Sequence, residues 1–167
     1  MLNIPHIAMQ RNIISPPLDE IDRRILDQLQ RDCALTNQDL AAKVHVSAPT
    51  CLRRVRRLVE QGVIERQIAI IAPEAVGAGL TALVEVTLDR QSAESLQAFH
   101  ASVAPEPAVQ QCYQVSQGPD FVLVVYVADM AAYHAFVHRT LTAANNVRNV
   151  RTFFSVHRSK FDPRVDV

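Results

Sequence analysis

The sequence has 167 residues, enough for one large domain or two small ones. Apolar residues make up 49% and charged residues 20%, the balance of a folded globular protein rather than a disordered one. The 17 basic and 17 acidic side chains cancel, so no basic footprint is visible in the total. The distribution is uneven. Residues 18–42 carry three basic and six acidic side chains, net −3; residues 43–66 carry six basic and two acidic ones, net +4. Cys33, Cys51 and Cys112 are far apart and form no CxxC pair, which argues against a disulfide framework or a zinc site and for reduced thiols in the cytoplasm. No apolar run approaches the ~18 residues of a membrane-spanning helix, and the N-terminus does not read as a secretory signal.

Residues 1–17 contain three prolines without a period and read as an irregular extension. A first helix is expected after Pro16-Pro17. Asp19 caps it, Asp22 lies in the first turn where the helix dipole favours an anion, and Ile21, Ile25, Leu26 and Leu29 form its apolar stripe. A second helix is expected from Thr36, with Asp39 completing a capping box and Leu40, Ala41 and Val44 facing inward. His45-Val46 makes a short turn. Ser47 then caps a third helix that tolerates Pro49 in its first turn and ends at Gly62.

Two short helices joined by a tight turn, the second rich in arginine, read as a helix-turn-helix for double-stranded DNA. Within helix three, Leu52, Val55, Leu58 and Val59 are expected to pack inward with Cys51 buried beside Val55. Ser47, Ala48, Thr50, Arg53, Arg54 and Arg57 are then expected to face the major groove, where arginine can fork onto guanine or bind phosphate. The arginine run alone would equally suit a solvated face; the caps, the turn and the preceding helix favour DNA.

Val63–Ile71 is rich in β-branched residues and suits a strand or small wing, and Pro73–Gly79 a hinge. Beyond it, strand and helix patterns alternate. Leu80–Leu88 alternates as a strand. Ala93, Leu96, Phe99 and Val103 mark a helix, and Val109, Tyr113 and Val115 a second strand. Phe121–Val127 is apolar throughout, as for a strand buried on both sides. Met130, Tyr133, Phe136, Val137 and Leu141 stripe another helix, and Val150, Thr152, Phe154 and Val156 alternate in a last strand. The order βαββαβ predicts an α+β protein whose second half is ferredoxin-like. The expected organisation is an extension at 1–17, a winged helix-turn-helix at 18–72, a hinge at 73–79, a ferredoxin-like domain at 80–158 and a tail at 159–167. His134 and His138 stand at i, i+4 on a helix, but without an HExxH pattern or a third ligand they suit a surface pair better than a metal site. Neither a catalytic nor a metal site is expected.

The stretch Leu18-Asp19-Glu20-Ile21-Asp22-Arg23-Arg24-Ile25-Leu26, the pair Leu40-Ala41, the block Cys51–Leu58 and the run Gln61-Gly62-Val63-Ile64 together resemble the Lrp/AsnC (feast/famine) regulators. The likeness extends over about residues 18–158. It includes Val115–Phe121, similar to the family's Gly-x-x-Asp loop, and Val150-Arg151-Thr152 in its last strand. The resemblance implies a transcriptional regulator with a C-terminal effector-sensing domain, dimers formed through the C-terminal sheets, octameric rings in many members, and an amino acid bound near the loop. Carried over, the effector residues are Ser116, Gln117, Gly118 and Asp120, with Thr152 a neighbour. Gln117 stands where the family usually has glycine, so a reshaped loop is expected there. Two other readings share the architecture: a sirohaem-decarboxylase-like enzyme, whose Thr-His-Asn-Tyr stretch is absent here, and a sensing co-regulator that does not read DNA specifically.

Overall fold

The computed structural model describes residues 17–76 and 79–167, and the expected extension at 1–17 lies outside them apart from Pro17. Asp19 turns the chain into α1 (Glu20–Arg31) through a complete capping box. Its carboxylate accepts from the amides of Ile21 and Asp22, and the Asp22 carboxylate accepts from the Asp19 amide. Thr36 caps α2 (Asn37–Lys43) by accepting from the Asp39 amide. His45, in the left-handed region at φ 58°, turns the chain toward α3 (Ala48–Glu60), and Gly62 at φ 71° ends that helix. Ile25, Leu26, Leu40, Ala41, Val44, Cys51 and Leu58 form the core of this three-helix unit.

The segment after α3 differs from expectation. Residues 63–71 form no strand, although they are β-branched. A strand exists only by pairing, and among the described residues this segment has no ladder partner; Ile68 and Ile70 are exposed. The chain divides into two compact units. The first runs to Ile70 and includes Asp162–Val167; the second is Ile71–Phe161. The end of the chain is thus more than a loose tail: the Val165 amide donates to Gln30 Oε1 at 2.7 Å, and Gln30 Nε2 donates to the Val165 carbonyl at 3.0 Å.

The second unit opens with a 3₁₀ turn at Pro73–Val76 in the expected hinge. It continues as β1 (Leu80–Leu88), α4 (Ala93–Val103), β2 (Val109–Gln114), β3 (Phe121–Val127), α5 (Met130–Thr140) and β4 (Val147–Phe154). The sheet is antiparallel with strand order β2-β3-β1-β4, the ferredoxin-like arrangement. Ser92 and Asp129 cap the two helices. One sheet face, built from Ala82, Val84, Val86, Leu88, Phe121, Leu123, Val125 and Val127, buries against Phe99 and Val103 of α4 and Tyr133 and Phe136 of α5. Among the described residues only that face is covered by helices. Burial along β3 alternates, so the expectation of a strand covered on both sides does not hold within one chain. Leu83, Tyr113 and Phe153 lie exposed on the open face, where Arg151 pairs with Glu85 at 3.3 Å.

Candidate nucleic-acid interface and effector loop

α3 follows α2 after a short turn that is pinned at both ends. The Val46 amide donates to the Ala41 carbonyl at 3.0 Å, and Asn37 Nδ2 donates to the Ala48 carbonyl at 2.9 Å. Ser47 occupies the N-cap position without making the side-chain cap; its hydroxyl donates to Thr50 Oγ1 at 2.9 Å instead. The stripe facing the core is Cys51, Val55 and Leu58, with Arg54 on its flank. Cys51, Val55 and Leu58 face the core as expected, and the correction falls on one flank of the helix. Leu52 and Val59, expected inside, are 40% and 49% exposed.

The arginines of α3 differ in their pairing. Arg54 Nη1 reaches Asp19 Oδ2 at 2.7 Å and Asp22 Oδ1 at 2.8 Å, with only 16% of its side chain exposed. Arg57 Nη2 pairs with the other oxygen of Asp22, whose side chain is 1% exposed. Arg54 and Arg57 therefore turn toward α1 rather than straight outward, because a buried carboxylate must be paired. Arg53 and Arg56 are the exposed pair, together with Ser47, Pro49 and Leu52; Ala48 and Thr50 are half-buried. Sequence reasoning passed over Arg56 and the pairing of Asp19 and Asp22 with α3. The signal for the latter was the opposite net charge of residues 18–42 and 43–66.

The Asp19 carboxyl is held at about 2, below its ordinary 3.8, first by the amide of Asp22 and then by the Arg54 guanidinium. A depressed folded-state pKa stabilises the fold fully above about pH 4, and that contribution is lost as pH falls through about 2. Denaturant unfolding of the first unit should therefore weaken between pH 5 and pH 2.5, and Asp19→Asn should make that stretch flatter. An acid dependence identical in the variant would contradict the assignment.

In the second unit, Ser116–Asp120 joins β2 to β3. The Asp120 amide donates to the Val86 carbonyl at 2.9 Å, and its carboxylate accepts from the Leu88 amide at 2.6 Å. Asp120 thereby ties the loop to the end of β1. Ser116, Gln117 and Gly118 are exposed. The left-handed residue is Gly118 at φ 87°, so the conformation that favours glycine falls on a glycine and not on Gln117. A side chain at Gly118 would meet nothing within 4 Å, so any cost of substitution there is conformational. Thr152 is on β4, which β1 separates from the β2–β3 loop, and its hydroxyl is bonded to the Tyr133 hydroxyl of α5. Within one chain the structure does not bring Thr152 to the loop. Among the described residues no group of three or more His, Cys, Asp or Glu side chains is placed to hold a metal ion, and no helix is long and apolar enough to cross a membrane.

Comparison with known proteins joins the two units. Residues 18–65 match the winged helix-turn-helix DNA-binding family, and residues 81–165 match the Lrp/AsnC ligand binding domain. A leucine-responsive regulatory protein of Rhizobium meliloti is 40% identical over 155 residues, covering 93% of this chain and 99% of its own. The leucine-responsive regulatory protein of Escherichia coli K12 is 36% identical, covering 89% of this chain and 90% of its own. Among solved structures, an AsnC family transcriptional regulator from Agrobacterium tumefaciens superposes with a TM-score of 0.81 at 36% identity, covering 89% of this chain and 96% of that one. A transcriptional regulator from Neisseria meningitidis, solved in complex with L-Met, has a TM-score of 0.80 at 32% identity, with the same coverage of both chains. With a helix-turn-helix whose second helix exposes arginines and a ligand-binding ferredoxin-like unit behind it, the chain belongs to the Lrp/AsnC family of DNA-binding transcriptional regulators.

Proposed function

We propose that the chain acts in the cytoplasm as a homodimer, or as an octamer built from such dimers, that reads a pseudo-palindromic operator and is controlled by an amino acid. The observation that carries the DNA part is the exposed face of α3. Arg53 and Arg56 project from it, with Ser47 and Thr50 at its N-terminal end. The N-terminal turns of such a helix reach base edges in the major groove, and two of them related by a two-fold axis fit half-sites about 34 Å apart or a multiple of that. Arg53 and Arg56 are the principal contacts in this reading, and Ser47, Ala48 and Thr50 line the approach. Arg54 and Arg57 stand behind them.

The open sheet face supports dimerisation, since Leu83, Tyr113 and Phe153 form an apolar patch that a second copy would cover. The effector reading rests on the family's ligand-binding unit and on the L-Met bound to the Neisseria meningitidis relative. In this reading Ser116, Gln117, Gly118 and Asp120 shape the effector site, with Thr152 supplied from another copy. An effector must bind one DNA-binding or assembly state better than another to control anything. No catalytic step and no cofactor belong to this function.

A thermal-shift screen of the twenty amino acids, L-Met included, tests the effector class. A ligand that binds only the native state stabilises it by about 2.7 kcal/mol at a hundred times its Kd. At least one amino acid should raise the melting temperature by several degrees. A flat result in all twenty wells would remove the amino-acid effector and leave the DNA reading untouched.

A further inference from the structure

We infer that Asp22 is a positioning residue for DNA recognition: its buried carboxylate grips Arg54 and Arg57, so that two of the four arginines of α3 set the seat of the helix and the other two meet the DNA. The inference rests on the DNA-binding reading and goes beyond it. Arg54 and Arg57 are three residues apart and share a side of α3. Asp19 and Asp22 are likewise three apart at the N-terminus of α1. Every oxygen of Asp22 has work to do. Oδ1 accepts from Arg54 Nη1 at 2.8 Å; Oδ2 accepts from the Asp19 amide at 3.2 Å and from Arg57. The cap of α1 and the seat of α3 are thus one hydrogen-bonded network.

The recognition helix depends on this network because its own start is weakly held. Ser47 makes no side-chain cap, and among the described residues the side-chain bonds that tie α3 to the other two helices are the Asn37 bond to the Ala48 carbonyl and those of these two arginines. Side chains that read base edges must be held within about 10–20° of their productive orientation. A helix that can roll about its axis would carry Arg53 and Arg56 out of reach of their partners. The same pairing withdraws charge. Asp19 and Asp22 neutralise Arg54 and Arg57, so the run Arg53–Arg57 presents about two net positive charges to a phosphate backbone and not four.

Four variants in the full-length protein separate this from direct contact: Arg54→Gln, Arg54→Lys, Arg57→Gln and Asp22→Asn. Binding is measured across salt concentrations to a duplex from upstream of the protein's own gene and to a random duplex of equal length. Amide hydrogen exchange follows α3 without DNA. Arg54→Gln should lower the preference for the upstream duplex about tenfold with an unchanged salt slope, and should speed exchange in α3. Arg54→Lys should restore both, because a single nitrogen of Arg54 makes all the contacts to Asp19 and Asp22 and an ammonium can take its place. Asp22→Asn should lower the preference and steepen the salt slope on the random duplex, since the released guanidiniums can reach phosphates. A slope that drops by about 0.9 in Arg54→Gln would make Arg54 a phosphate contact and overturn the inference. Unchanged preference together with unchanged α3 exchange would overturn it too. Arg57→Gln keeps the Asp22–Arg54 pair, so it carries the same exchange and slope tests if Asp22→Asn does not fold. If the wild-type protein binds neither duplex, the DNA reading fails, while the exchange measurements still decide whether Asp22 seats α3.

Discussion

Phe99→Ala should destabilise the second unit by about 3–5 kcal/mol, the range for truncating a buried phenylalanine. Phe99 is the largest side chain that α4 delivers to the core, and it meets Phe121 of β3 with ring centroids 4.7 Å apart and planes inclined by 41°. The tilt lets the edge of one ring approach the face of the other, which adds to simple burial. The cavity left by alanine would open beside Phe121 in a core cluster that also holds Val84, Val86 and Leu123, short branched side chains fixed on strands that cannot relax far. Calorimetry should place the loss in one transition. The melting of the helix-turn-helix unit should stay close to wild type, because its core is a separate cluster around Ile25, Leu40, Cys51 and Leu58. Adding Phe121→Ala should cost less than in the wild-type background, since the ring pair is already broken. Full additivity of the two substitutions, or a loss under 1 kcal/mol for the first, would mean that the rings do not form one packed unit.

The architecture was legible because its signals are local. Asp19 and Thr36 announce helix starts by chemistry that does not depend on the rest of the fold, and the alternation of Ala82, Val84, Val86 and Leu88 declares one buried face. The errors arose where a partner decides the outcome. On α3 the inward places of Cys51, Val55 and Leu58 were read correctly, but arginine was taken as an outward residue, and Arg54 turns toward α1 where Asp19 and Asp22 pair with it. Periodicity weighs Leu52 and Val59 as core candidates; it cannot see that Arg54 pairs with carboxylates of the first helix. Residues 63–71 failed as a strand for a related reason, since β-branched composition states a preference and a ladder needs a second strand. At the loop between β2 and β3, Gln117 was a concern because of its position in a family pattern. The backbone answers with φ 87° at the next residue, Gly118, a fact that only the traced chain could supply.

The pairing of Arg54 and Arg57 changes which arginines should matter for binding. Replacing both Arg53 and Arg56 by alanine should lower the affinity for operator DNA and reduce the salt slope by about 1.8 for each chain engaged, if each meets one phosphate. Between about 50 and 200 mM salt, two such contacts make roughly a tenfold difference in how steeply affinity declines. The single variants divide the work. If Arg53 forks onto a guanine, Arg53→Ala should cost about 1–3 kcal/mol and relax preference at one base-pair position. If Arg56 binds phosphate alone, Arg56→Ala should weaken all duplexes alike and carry most of the change in slope. Neither should alter the thermal unfolding of the first unit by more than about 0.5 kcal/mol, since both side chains are exposed and neither belongs to the Asp19–Asp22 network. That separation from stability is what distinguishes them from Arg54 and Arg57. A double variant that keeps wild-type affinity and slope would place the DNA-reading surface elsewhere on the unit; one that loses both while remaining fully folded would locate it on the exposed face of α3.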